Sequence, residues 1–205
     1  MRAAIVALRA ASPRYPFRRS REPNAARNGA LIRLDDQPST IIGWREWIGL
    51  PRLGIAGIAA KIDTGARTTA LHALDIEHVE SAEGPLVRFT VPAGPGHETL
   101  RVEAPLVAER GVKNTSGVPE SRPVIATTLS LGRRRWPIEV TLADRTEMGF
   151  DVILGRTAIR RRAILVDCAR SWLARPPRGF EPPSTEEEDP PGESEDAPVS
   201  TEEEA

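Results

Sequence analysis

IAGIAAKIDTGA, residues 55–66, is the stretch that decides the fold. It is an apolar run of Ile, Ala and Gly that ends in Asp63-Thr64-Gly65. A short apolar run that ends at a turn-forming residue is typical of a buried β-strand. Gly65 allows the backbone to turn tightly, so that its N–H approaches the carboxylate of Asp63. The stretch therefore predicts an Asp that is presented at the end of a strand.

Similar short apolar segments continue on both sides of this stretch. Strands are predicted at 41–50, 55–62, 86–91, 100–106, 124–131, 136–142, 150–154 and 163–168, with one short helix at about 157–162. Many short strands without helices of 10–15 residues between them favour an all-β barrel or sandwich over a parallel α/β sheet.

The charge divides the chain into three segments. Residues 1–38 hold eight arginines against three acidic residues, residues 39–173 hold 18 basic against 15 acidic residues, and residues 174–205 hold two arginines against eleven acidic residues. The Pro- and Glu-rich tail cannot bury enough apolar area to offset its ordering entropy. We therefore expect a basic disordered leader, a folded domain over 39–173 and an acidic disordered tail. An Arg-rich start that is poor in acidic residues is also typical of an organelle transit peptide.

The composition argues against several classes of protein. A net charge of −1 argues against a protein that coats nucleic acid, because such binding needs a basic face. No apolar run approaches the length of a membrane span. The single Cys excludes an internal disulfide framework and a Cys-rich zinc module. We expect a cytoplasmic protein that binds neither nucleic acid nor membranes.

A second motif, Ile153-Leu154-Gly155-Arg156, follows another apolar segment late in the chain. Together with GWREW (43–47), KIDTGARTTALHA (61–73), RPVI (122–125) and GFDVILGR (149–156), it carries a resemblance. The set resembles the lobe of a retropepsin-like aspartic peptidase, and more specifically a bacterial family labelled "ATP-dependent zinc protease". The resemblance covers about 41–173 and neither tail. It implies a retropepsin-like closed β-barrel lobe with one short helix.

The resemblance also implies that Asp63 hydrolyses peptide bonds. Hydrolysis with water as the nucleophile needs a base and an acid, and two carboxylates that share one proton supply both. Asp63 is the chain's single Asp in an Asp-Thr-Gly or Asp-Ser-Gly context. The second carboxylate is therefore expected from a second copy of the chain, in a two-fold homodimer.

The resemblance assigns supporting roles around Asp63. Thr64 would hydrogen-bond across the dimer axis, and Gly65 and Ala66 would complete the active loop. Gly155 would pack beside this loop, and Arg156 would pair with an acidic residue near the dimer seam.

A Gly-containing hairpin is expected to cover the substrate. The candidate flap contains Asn114, Thr115, Ser116 and Gly117, and its rival is the segment 92–97.

Other functions remain open on the sequence. The family label favours a zinc protease, although the three histidines form no His-Glu-x-x-His motif, and we expect surface or loop histidines and no cofactor. A non-catalytic β-barrel interaction module is a further alternative. The expected partners are a second copy of the chain and a protein or peptide substrate of acidic character. The resemblance also suggests a link to ATP-grasp ligases that add amino acids to protein tails.

Overall fold

The computed structural model describes residues 5–7, 40–82, 84–94, 97–113 and 119–183. Within these residues the chain forms twelve strands and one short α-helix. They are β1 Ile5–Ala7, β2 Thr40–Gly43, β3 Arg45–Leu50, β4 Ile55–Asp63, β5 Thr69–His72, β6 Leu74–Ser81, β7 Gly84–Val91, β8 Leu100–Lys113, β9 Pro119–Leu131, β10 Arg134–Ala143, β11 Val152–Gly155, α1 Arg156–Ile159 and β12 Ile164–Asp167.

Six of the strands close into a barrel. Their order around the ring is β10-β5-β11-β4-β3-β9, and β9 pairs again with β10. From β9 the sheet also continues outward through β8, β7 and β6. The predicted all-β closed barrel with one short helix is confirmed.

The barrel is filled by apolar side chains that alternate along its strands. In β10, for example, Trp136, Ile138, Val140 and Leu142 are all buried at every second position. Burial of each large apolar side chain contributes about 1.5–3 kcal/mol. This packing fixes the strand ends that carry the candidate site.

The predicted strand at 41–50 is interrupted at Trp44. Its first part, β2, leaves the barrel and pairs in parallel with β12, whereas β3 pairs with β4 and β9 inside the ring. The backbone of Trp44 bonds to two different segments, because its N–H donates to Arg170 O and its C=O accepts from Ile62 N. The strands β5 and β6 were not predicted.

The predicted disordered tail begins too early at Ala174. The segment Ser171–Phe180, the C-terminal strap, lies against β3 and β4. Trp172 stacks on Trp47 with ring centroids 4.9 Å apart, and Phe180 packs on the same indole at 5.1 Å. The strap is ordered because these aromatic rings bury apolar area that the Pro- and Glu-rich composition does not reveal.

The predicted disordered leader needs a correction at one point. Residues Ile5–Ala7 form a strand that pairs in parallel with Arg101–Glu103 of β8. The rest of 1–38 and residues 184–205 lie outside the described residues. No helix in the described part of the chain is long and apolar enough to cross a membrane.

Candidate functional site

Asp63 is the last residue of β4 and lies at one end of the barrel. β11 runs parallel to β4 between β4 and β5, and its register places Gly155 beside Asp63. The two sequence motifs therefore meet at the ends of neighbouring strands. Asp63 is half-buried, so its carboxylate remains accessible to a ligand.

The loop after Asp63 is held by hydrogen bonds from both of its ends. The N–H of Ala66 donates to Asp63 Oδ1 at 2.8 Å. One terminal nitrogen of Arg156 donates to Thr64 O at 2.6 Å and to Gly65 O at 2.7 Å. Arg156 therefore binds two loop carbonyls, whereas the sequence prediction paired it with an acidic residue.

Gly155 is required by the close approach of another backbone segment. A Cβ atom at this position would lie 2.4 Å from Thr68 O and 2.5 Å from Thr68 C. The N–H of Gly155 points to Thr69 Oγ1 at 3.3 Å. These contacts place Gly155 against the segment that follows the Asp63 loop.

A second group of polar residues, His72, Arg145 and Asp151, lies near the start of β11, at the end of this strand opposite to Gly155 and Asp63. His72 is 6% exposed, and its backbone N–H donates to Asp151 O at 2.7 Å. The backbone N–H of Arg145 donates to His72 Nδ1 at 2.9 Å. Nδ1 is therefore the acceptor nitrogen of the ring. The expectation of a surface or loop histidine is wrong for His72.

Arg145 brings a positive charge into this group. Burial lowers the pKa of its guanidinium, the nearby charge of Arg122 lowers it further, and the carboxylates of Asp151 and Asp63 act in the opposite direction. An arginine remains protonated in spite of such shifts. This second group therefore contains a permanent cation.

Sequence reasoning gave these three residues no role in a site. His72 and Asp151 lie inside the quoted segments 61–73 and 149–156, which were the available signal, whereas Arg145 lies in neither.

Of the two candidate flaps, the structure describes part of the segment 92–97, whereas residues 114–117 lie outside the described residues. In the rival segment, Gly94 and His97 form an antiparallel bridge. A Cβ atom at Gly94 would lie 2.6 Å from Asp151 Oδ2, so this hairpin packs directly on the polar group.

Potential metal ligands do not cluster in the part of the chain that the structure describes. No group of three or more His, Cys, Asp or Glu side chains there could hold a metal ion.

Comparison with known proteins identifies a family and several relatives. A family model described as "Retropepsin-like aspartic endopeptidase RimB" matches residues 41–177. A "Probable alpha-L-glutamate ligase" of Parasynechococcus marenigrum is 43% identical over 129 residues, which are 62% of this chain and 28% of that protein. One of Desulfotalea psychrophila is 38% identical over 145 residues, which are 68% of this chain and 31% of that protein. The chain thus spans less than a third of the length of these relatives.

One solved structure is also similar to this chain. A protein of unknown function from Legionella pneumophila is 30% identical, with a TM-score of 0.56. The match covers 66% of this chain and 98% of that protein.

The comparison corrects the functional prediction. We predicted an aspartic endopeptidase that shares an Asp dyad across a homodimer. The four curated relatives, at 37–43% identity, are all named as probable alpha-L-glutamate ligases, and none of these four is named as a protease. The names of these relatives contradict the predicted function, which is therefore wrong.

The family description and the names of the relatives are both those of enzymes. The family model covers the barrel from β2 to the C-terminal strap, including Asp63, Gly155 and the loop between β4 and β5. On this match, the chain belongs to the RimB-like family of retropepsin-like proteins.

Proposed function

We propose that this chain binds a glutamate-bearing peptide at the Asp63 loop and serves as the peptide-handling unit of an alpha-L-glutamate ligase system. The relatives named as probable glutamate ligases support this proposal, because they are 43% and 38% identical to this chain over 129 and 145 residues. The substrate class is also consistent with the link to ATP-grasp ligases that the sequence resemblance suggests.

The observation that carries the proposal is a basic rim around a half-buried carboxylate. The rim consists of Lys61, Arg67 and Arg156, whose side chains are all exposed. Lys61 belongs to the same strand as Asp63, and the main chains of Arg67 and Arg156 lie in the two segments that hold the loop. Such a rim attracts an acidic peptide over roughly a Debye length, about 8 Å at physiological salt.

Asp63 supplies an acceptor within this rim. Its Oδ1 accepts the N–H of Ala66, and within the described residues Oδ2 has no hydrogen-bond partner. Oδ2 can therefore accept a hydrogen bond or a proton from a bound peptide or from water.

Peptide binding tests the proposal. A labelled peptide with a tail of α-linked glutamates is compared with its glutamine counterpart by fluorescence anisotropy at several salt concentrations. We expect tighter binding of the glutamate peptide, a preference that weakens with salt, and a loss in the Lys61→Gln, Arg67→Gln double variant. Equal affinity for the two peptides would contradict the proposal.

An enzymatic role has a separate readout. The peptide is incubated with the full chain, both alone and with ATP, magnesium and glutamate, and its mass is then measured. We expect a change of mass with the wild type and none with Asp63→Asn. An unchanged peptide under both conditions would argue for binding without chemistry.

We propose, in addition, that two copies of the chain associate through the small sheet of β2 and β12. Ile41 and Leu165 are neighbours in its register and are 49% and 48% exposed. Two adjacent exposed apolar side chains on a two-stranded sheet offer a self-complementary contact across a two-fold axis.

A further inference from the structure

Two runs of three arginines meet beside the first residues of β10. One run stands at the turn from β9 into β10, and the other follows α1 directly. The guanidinium carbons of Arg134 and Arg162 lie 5.4 and 5.3 Å from the centroid of the Trp136 ring, and Arg134 Nη1 donates to Arg162 O at 2.9 Å. The arginine cluster, as we name it, consists of Arg133, Arg134, Arg135, Arg160, Arg161 and Arg162.

Trp136 fixes the place where the two runs meet. Trp136 is only 5% exposed, and its Nε1 donates to Ala158 O at 2.8 Å. Because Ala158 belongs to α1, this hydrogen bond ties α1 to β10. The two runs are therefore held together by a buried side chain of the barrel.

The arginine cluster has no acidic partner among the residues that the structure describes. None of its six side chains forms an ion pair or a hydrogen bond with a carboxylate there. Five of the six residues are exposed, and Arg162 is half-buried. Positive charges held side by side repel one another and destabilise the folded chain. An anionic ligand would relieve this repulsion.

The chain contains a segment of the opposite charge. Residues 184–205, the terminal acidic segment, lie outside the described residues. They include ten acidic residues and no basic residue. The acidic residues fall in three groups, at 186–189, 193–196 and 202–204.

The C-terminal strap connects this segment to the neighbourhood of the arginine cluster. The strap passes beside the turn that precedes Arg133, because a Cβ atom at Gly132 would lie 3.9 Å from Ala174 Cβ. The Cβ position of Gly49, which pairs with Ser130 of β9, lies 3.4 Å from Pro177 Cβ. The 22 residues of 184–205 reach about 70 Å when extended. The tether therefore keeps the acidic residues within reach of the arginine cluster.

We propose that the arginine cluster is the docking surface for the terminal acidic segment of the same chain. This proposal goes beyond the proposed function and does not depend on it. A single exposed ion pair is weak, but the tether holds the segment at an effective concentration in roughly the millimolar range. The planar guanidinium also matches the two oxygens of a carboxylate.

The basic rim at the Asp63 loop is the weaker place for the same segment. The rim has three cations, and Arg156 already donates to two carbonyls of the loop. The carboxylate of Asp63 lies among these cations and repels an acidic chain. The arginine cluster has twice as many cations, and in the described part of the chain no carboxylate contacts them. Charge therefore favours the arginine cluster.

Paramagnetic relaxation enhancement in the full chain tests the docking. Ser194→Cys carries a nitroxide in the middle of the acidic segment, in a Cys168→Ser background because Cys168 is an exposed thiol. The backbone amide signals of 132–135 and 160–162 are compared with those of the rim at 61–67. Spectra are recorded at about 0.1 M and about 1 M salt, between which the Debye length falls from about 10 Å to about 3 Å.

We expect the signals of the arginine cluster to lose about half of their intensity or more at the lower salt, because the tether favours the docked form. They should recover at the higher salt. The double variant Arg133→Glu, Arg135→Glu should remove the broadening. The matched control Lys61→Glu, Arg67→Glu makes the same charge change at the rim and should keep it.

A second variant leaves the described residues untouched. The triple change Glu186→Gln, Glu187→Gln, Glu188→Gln should weaken the broadening, and it provides the reading if the arginine variant does not fold. Near-ultraviolet circular dichroism verifies the fold of each variant.

Three results would overturn the proposal. They are full intensity of the cluster signals at the lower salt, unchanged broadening in the folded arginine variant, and broadening of the rim signals in place of the cluster signals. A mixture of isotope-labelled chain without nitroxide and unlabelled chain with nitroxide adds a fourth. Broadening of equal size in this mixture would place the segment on a second copy and exclude docking within one chain.

Discussion

Gly155 and Arg156 are adjacent in the sequence and hold the Asp63 loop in different ways. Gly155 allows the backbone of Thr68 to approach, and Arg156 ties the carbonyls of Thr64 and Gly65. The position of the Asp63 carboxylate therefore depends on the absence of a side chain at Gly155 as well as on the long side chain of Arg156.

The first prediction concerns Gly155→Ala. The added Cβ would meet the backbone of Thr68 at 2.4 Å, which only a shift of main chain can relieve. We expect a loss of about 1–3 kcal/mol in the free energy of unfolding, together with weaker binding of the glutamate peptide. Urea unfolding provides the measurement, and Gly149→Ala is the control because nothing lies within 4 Å of its Cβ position. Equal stability of the two variants would contradict the assigned packing.

Residues joined by a short motif could be predicted, and residues joined only by the fold could not. The sequence indicated Asp63 with Gly155 because both follow apolar strands in a recognisable order. His72 and Arg145 are 73 positions apart and meet through a backbone-to-ring hydrogen bond. No local pattern encodes such a contact, because it depends on how β5 and β10 pair.

The C-terminal strap shows how a single buried carboxylate can organise an element. Glu46 in β3 is fully buried. Its Oε1 accepts the N–H groups of Gly43 at 2.6 Å, Leu173 at 2.9 Å and Ala174 at 3.1 Å. One side chain thereby joins the end of β2 to the start of the strap.

The second prediction is a pH dependence that comes from Glu46. Burial raises the pKa of its carboxyl above 4.5, although the three backbone N–H groups oppose this shift. The folded state then binds more protons than the unfolded state between 4.5 and the raised value. The contribution of Glu46 to stability is therefore largest below about pH 4.5 and falls as the pH rises through the folded pKa.

Urea unfolding across this pH range provides the test. The difference in unfolding free energy between the wild type and Glu46→Gln should change with pH in that window and become constant above it. The exposed Glu147→Gln serves as the matched control and should not remove the dependence. If the unfolding free energies of the wild type and Glu46→Gln change in parallel with pH, the pH dependence does not come from Glu46.

At the level of elements, the apolar strands β9 to β12 were predicted, whereas β5 and β6 were not. β9 and β10 contain the whole of the predicted strands at 124–131 and 136–142. β5 has four residues that read as part of a loop, and it forms because β10 and β11 pair with its two sides. The aromatic content of 41–50 concealed the change of sheet at Trp44.

The whole molecule is a ring of six strands with an outer sheet and a separate pair of strands. Closure of the ring leaves no free edge among its six members. The pair β2 and β12 lies outside this ring and presents the exposed Ile41 and Leu165.

The third prediction concerns association. Sedimentation equilibrium of the full chain should give a mass twice that of one copy. Ile41→Glu should shift the equilibrium to single chains, because burial of a charge at an apolar contact is unfavourable. Met148→Glu, at the same 49% exposure, should leave the dimer intact. Loss of the dimer in both variants, or in neither, would exclude this surface as the contact.

The C-terminal strap has a practical consequence for recombinant fragments of this protein. A fragment cut at residue 173, where the charge pattern alone would end the domain, removes the Ala174 donor to Glu46 and the phenyl ring of Phe180. It would expose the face of Trp47 and the backbone of Gly57, on which that ring lies. C-terminal expression boundaries and fusion tags therefore belong beyond residue 183, so that the C-terminal strap continues to cover Trp47 and Gly57.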